Sequence, residues 1–289
     1  MRTMRLTLTA LLLALFATPG SVFAENIYVN NATGADRNDG SASETVGVFA
    51  GPVRTITRAL RLAGPSDAIV LANSGTPYFD EVTIDGRRLS GSEARPFRIV
   101  GNGAVLSGAM ALPAGAWEEV GRDLWRVRPY RKGHYQLVKD GAAVSERRQA
   151  AGESWNELPD LDENQWCAWK GAIYLHSEHN VDPNEQNFGI ARGQCGITLH
   201  SVRHVEIADL TVQHYRLDGI NVHDRASNVT LRNVALVENG RAGLTVAGSS
   251  TVRVAGAETR ANREFSMLVQ ESAAVDVRET TFDTEPTVR

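Results

Sequence analysis

Hydrophobic and polar residues alternate through the last third of the chain with a repeating frame. The segments "VEIADLTV" from Val205, "VTLRNVAL" from Val229, "VRVAGAET" from Val252 and "VDVRETTF" from Val275 start 24, 23 and 23 residues apart. A second set keeps the same frame: "GITLH" from Gly196, "GINVH" from Gly219, "GLTVA" from Gly243 and "SMLVQ" from Ser266, spaced 23, 24 and 23. Each unit carries two short strands with period-2 alternation. Ile207, Ile220, Val222, Leu231, Leu244 and Val246 point one way and their polar neighbours the other. A unit this short has no room for a helix beside two strands and their turns. It fits one rung of a parallel β-coil, paired with its neighbours about 4.8 Å above and below. A lone rung cannot bury its apolar face; stacking makes a continuous core. Asp209 and Asn233 share one phase, Gly219 and Gly243 another. Both sets are expected at corners that need a left-handed backbone.

Upstream the pattern changes twice. Ile56, Ala59, Leu60 and Ala63 fall at helical spacing, which predicts a helix of about ten residues. Such a helix would plug the coil end, where core and strand edge otherwise lie open. Strands are expected at 68–72, 82–84 and 97–100. From 112 to 190 the rung frame is lost. All five tryptophans (117, 125, 155, 166, 169) fall there, among hairpin-like runs such as "LWRVRPY", "YQLVKDG" and "GAIYLHS". This stretch reads as a β-rich excursion. Trp155 and Trp166 are candidates for stacking on sugar rings, against the plainer reading that the tryptophans fill a small core. The chain ends inside a rung without a cap, so an incomplete chain is expected, with further rungs or a partner over the open end.

The rungs "VEIADLTVQHYRLDGINV" and "VTLRNVALVENGRAGLTV" resemble right-handed parallel β-helix repeats of the pectate-lyase-like superfamily. The opening segments "IYVNNATGADRNDGSAS", "GPVRTITRALRLAGPSDAIVLANSGTPYFDEVTIDG" and "RPFRIVGNGAVLSG" look like the start of many secreted carbohydrate-active β-helix proteins. The resemblance covers residues 26–108 and 190–289. It implies an all-β, right-handed parallel β-helix with an N-terminal cap and a polysaccharide as substrate or ligand. The layout expected is a signal peptide (1–24), cap and first coils (25–111), the Trp-rich excursion (112–190) and regular rungs (191–289).

Arg2 and Arg5 precede an apolar run, Leu6 to Ala17, with Val22 and Ala24 at small-residue positions. That pattern predicts cleavage after Ala24 and a secreted or periplasmic protein. The run is too short to span a bilayer. Removing it shifts the formal charge of −4 by the loss of Arg2 and Arg5, which bears on solubility rather than fold. Basic runs are too short for a nucleic-acid partner. Cys167 and Cys195 are the only cysteines, and in an exported chain they can form one disulfide. Cys/His spacing for a zinc site is missing, so no metal ligands are assigned. Calcium at Asp36, Asp39 and Gly40 is weighed against a solvated turn, and the turn is preferred.

Aligned rungs place Thr198, Asn221, Thr245 and Leu268 in one outward column and His200, His223, Ala247 and Gln270 in the next. His200 and His223 therefore stand one strand spacing apart. Neighbouring imidazoles disfavour joint protonation, which suits a neutral base or a metal ligand; a structural ladder of stacked side chains is the alternative. Asp224 and Arg225 follow at the strand end, and His214, Arg216 and Asp218 precede it, forming an expected mixed cluster. The adjacency of His223 and Asp224 counts for little, because neighbours on a strand point apart. A lyase would use Arg216, Arg225 or a histidine to neutralise a uronate and take its proton. A glycoside hydrolase would need two carboxylates about 5–9.5 Å apart, from Asp218, Asp224 or Glu238. Thr198, Asn221 and Thr245 would line the substrate groove. The Arg-x-Pro-x-x-Arg motif of pectate lyases is absent; "RVRPYR" at 126–131 does not supply it. A non-catalytic, adhesin-like binding solenoid is the third reading.

Overall fold

The structure, a computed structural model, describes residues 24–289; the expected signal peptide lies almost wholly outside them. The chain forms a parallel β-helix. One sheet carries Asn26–Val29, Ala68–Leu71, Phe97–Ser107, Arg203–Gln213, Ser227–Val237, Thr251–Ala255 and Ala274–Arg278, all in parallel register. A second parallel sheet, the groove sheet, carries Val82–Asp85, Ile197–His200, Asp218–His223, Ala242–Val246, Phe265–Val269 and Thr287–Val288. The inward residues of both sheets form one core cluster that runs from Ile27 to Val269.

The long strands turn a corner midway, and the corner residues are left-handed: Asn102, Asp209 and Asn233 at φ 53°, 55° and 51°. Their short polar side chains tolerate that backbone, and Asn233 Nδ2 donates to Asp209 Oδ1 at 3.0 Å. Gly219 and Gly243 do a different job from the one expected. Both lie inside groove strands rather than at turns. A Cβ on Gly219 would sit 2.8 Å from Asn239 Nδ2, and one on Gly243 2.8 Å from Asn262 Nδ2. They make room for a buried asparagine ladder: Asn239 Nδ2 donates to Val212 O and Asn262 Oδ1, and Asn262 Nδ2 to Leu236 O.

The helix spans Ile56–Leu62, capped by Thr55 Oγ1, which accepts from Arg58 N, and it buries Ile56, Ala59 and Leu60 on the coil end. It is shorter than expected because Gly64 precedes Pro65, a position that disfavours helical backbone, and Ala63 is already extended. Between Ala109 and Ala191 the chain forms two small, mainly antiparallel sheets with their own apolar clusters. This excursion leaves the coil at Gly108 and returns at Gly193, where Arg192 N donates to Gly108 O at 2.8 Å.

Candidate functional site

The groove sheet is floored by Thr83, Thr198 and Asn221, which pair strand to strand. Beside them lies a trough of about 290 Å³ bounded by Glu81, Gln194 and Cys195 at one end and His223 at the other. Glu81 also lines a larger cavity, about 800 Å³, between the coil and the excursion. Exposed Arg128, Arg131 and Arg192 face that cavity, together with the rings of Tyr130 and Phe79. The two spaces share Glu81, and the larger one carries arginine and aromatic side chains.

At the other end three side chains converge. His200 and His223 pair across adjacent rungs, with ring centroids 5.1 Å apart and planes tilted by 59°. Asp224 joins them. Its backbone is left-handed, at φ 68°, so its carboxylate leaves the alternation of the strand and folds toward both imidazoles. Oδ2 contacts His200 Nε2, and Oδ1 lies 3.5 Å from His223 Nδ1. The corner is locked from the next rung. Gly248 stacks on it so tightly that a Cβ there would lie 2.2 Å from Asp224 O, and Ser249 N donates to that same oxygen at 2.8 Å. The expectation that Asp224 points away from its neighbour is therefore corrected. All three side chains are partly open to solvent.

Asp85, which the sequence reading did not single out, occupies the same column below His200. A fork from Arg87 holds it, with Nη2 to Oδ2 at 2.6 Å and Nε to both oxygens at 3.1 Å. Those bonds lower its carboxyl to about 2, and the charge of His200 adds slightly. Its signal was the alternation of "VTID", which matches "ITLH" residue for residue; the intervening excursion hid the register.

The mixed cluster expected around the histidines divides in two. Asp218 and His223 are the two ends of one strand, about 16 Å apart at 3.3 Å per residue. Asp218 is fully buried, not placed in a turn. It receives Arg241 Nε at 2.8 Å and Nη2 at 2.5 Å, and Asn221 Nδ2 at 2.7 Å. Its hydrogen bonds raise the Arg241 guanidinium further. A carboxylate so enclosed cannot meet a glycan. His214 is buried too; its Nε2 lies 2.7 Å from Glu238 Oε2. Glu238 also accepts from Ala143 N of the excursion at 3.2 Å, and the His214 bond lowers its carboxyl below the ordinary range. Arg216 donates to the carbonyls of Lys132 and Gly133 at 2.6 and 2.8 Å, so it fastens the excursion. Arg225 is exposed beside Asp224.

Other candidates move as well. Thr245 is 2% exposed and cannot line an open groove; Thr198 and Asn221 remain half-exposed. Trp166 is buried, and its Nε1 donates to Val144 O at 2.9 Å. It belongs to the excursion core with Trp117, which meets Phe188 edge-on at 5.5 Å. Trp155 is half-buried, with Arg147 5.4 Å from its ring. Cys167 and Cys195 are free, so the bridge that the sequence left open is not formed. Cys167 packs within the excursion against Ala172 and Tyr174, whereas Cys195 lines the trough on the coil. Burial pushes the Cys167 thiol up to about 11 and raises Cys195 as well, so neither is a ready nucleophile. In the N-terminal loop, Asp36 accepts from Arg54 N, Thr55 N and Thr55 Oγ1, and Asp39 from Ser41 and Gly51. Their oxygens serve the loop itself.

No protein-family model and no curated protein matches the chain. Among solved structures, the chain is similar to one described as a glycoside hydrolase: 14% identity, 86% of this chain and 68% of that one, TM-score 0.63. It is also similar to a complex of XylC with xylose: 12% identity, TM-score 0.57, covering 89% of this chain but only 58% of that one. At such identities the likeness establishes the β-helix fold and leaves the reaction to the chemistry of the site.

Proposed function

We propose that this chain is a carbohydrate-active β-helix protein that binds an extracellular glycan along the groove sheet and cleaves it at His200, His223 and Asp224. The observation that carries the reading is the half-exposed cluster of His200, His223 and Asp224 beside a trough on the groove sheet, whose far end at Glu81 borders the arginine- and aromatic-lined cavity. Aromatic faces and polar side chains are what a sugar chain needs, and Arg128, Arg131 and Arg192 favour an acidic one. Elimination from a uronate fits better than hydrolysis. Of the carboxylates that a hydrolase would pair, Asp218 is sealed under Arg241 and Glu238 is held by His214. The reacting end presents imidazoles with one carboxylate, a set suited to proton transfer.

Hydrolysis is the second reading. The fold shared with a structure described as a glycoside hydrolase is what suggests it. Asp224 would then be one carboxylate, and Asp85 beneath His200 would serve as the second only on release of its Arg87 fork. The test is incubation of residues 25–289 with polygalacturonate, alginate and xylan. Ultraviolet absorbance from unsaturated ends supports elimination, and new reducing ends without it support hydrolysis. Binding without either product would reduce the chain to a carbohydrate-binding solenoid, and neither binding nor product removes the proposal.

A further inference from the structure

We propose that His200, His223 and Asp224 form a binding site for a divalent transition-metal ion of the zinc class. The site involves the residues of the proposed reacting centre but stands on its own geometry. Each of the three offers one ligand atom, and these atoms all lie within 4.8 Å of one another. Tetrahedral ligands at 2.0–2.1 Å from an ion are about 3.4 Å apart. His223 Nδ1 and Asp224 Oδ1 are already 3.5 Å apart, whereas the direct contact between His200 Nε2 and Asp224 Oδ2 has to open, by side-chain rotation, for an ion to enter between them.

The backbone holds the donors in place. Two come from adjacent, register-paired rungs. The third is swung in by a left-handed corner on which Gly248 is stacked. Sites built on rigid strands lose little order when an ion arrives. Two imidazoles and one carboxylate select for zinc-like ions over calcium or magnesium, which prefer oxygen. Asp85, the next carboxylate in the column, is occupied by Arg87 and does not compete as a ligand. His223 also lines the trough, so a three-ligand site leaves a coordination position on the side where a glycan would lie. In the sequence, the 23-residue rung spacing already suggests His200 and His223 as a base or metal-ligand pair; the third donor, Asp224, escapes because strand alternation turns it away.

The test is binding by untagged residues 25–289, first stripped with a chelator. Co²⁺ is followed by its visible absorption, and Zn²⁺ by competition with a chromophoric chelator. One ion per chain is expected. His200→Ala, His223→Ala and Asp224→Asn should each weaken Zn²⁺ binding by at least about tenfold. Asparagine tolerates the left-handed corner, so Asp224→Asn removes the charge and keeps the backbone. His179→Ala, which alters an exposed histidine on Asp123 in the excursion, should change nothing. Failure to bind Zn²⁺ and Co²⁺ stoichiometrically, or binding undiminished in His223→Ala, would overturn the site. So would displacement of Zn²⁺ by an equal concentration of Ca²⁺. Glycan cleavage is scored separately. Metal binding without cleavage keeps this site and removes the function proposed above; cleavage that needs His223 without any metal binding does the reverse.

Discussion

The two ends of the strand Asp218–His223 carry similar residue types and opposite environments. At one end Asp218 is sealed beneath Arg241 and Asn221, while His214 and Glu238 close on each other one corner away. At the other, His200, His223 and Asp224 are half-exposed and contact one another. Charges and imidazoles alone therefore do not mark a reactive centre. What separates the two is whether the donors and acceptors are already saturated. A buried and fully paired carboxylate holds rungs together; a half-exposed trio has capacity left for a ligand.

The largest expected effect lies at the open end. His223→Ala should lower glycan cleavage by about 10²- to 10⁴-fold and leave the melting temperature and circular dichroism unchanged. Retained activity would make the open trio a ladder like the closed one. At the excursion, Trp166→Ala should cost about 3–5 kcal/mol in urea unfolding, because that ring fills a core rather than a sugar subsite. Weaker glycan binding at unchanged stability would reverse this assignment. At the closed end, Asp218→Ala should cost about 3 kcal/mol by stranding Arg241, again measured by urea unfolding. Loss of activity at full stability would contradict its structural role.

Glu238→Gln is the smallest change, about 1 kcal/mol at neutral pH. The Glu238 carboxyl is lowered in the folded chain, chiefly by the His214 bond. Its contribution is therefore complete above the unfolded carboxyl value and declines as pH falls through the folded one. Stability of the two proteins should converge on acidification below about pH 4. A gap that persists at low pH would show that the charge is not what counts there.

Much of the coil was legible because its physics is periodic. The spacing from Val205 onward set the rungs, and the same count stacked His200 on His223. Asp85 was lost because register cannot be counted across an excursion. Asp224 was misjudged because alternation assumes extended backbone, although the glycine in its phase on the next rung, Gly248, was a readable sign of a left-handed corner. Burial of Thr245 and Trp166 depends on what lies over them, which no spacing records. The cysteines count as a pair in sequence and sit in separate layers in space.

In the regular rung, His214 and Arg216 are joined by Tyr215 alone. In the rung beneath, Gly108 and Gly193 hold the equivalent places: Gly108 N donates to Gln213 O, and Arg216 N to Gly193 O. The whole excursion is thus spliced in where one residue suffices. Its exchange for another loop would leave the stacking grammar of the coil intact while replacing one wall of the large cavity beside Glu81. The register of the coil and the lining of that cavity are thus written in separate stretches of one chain.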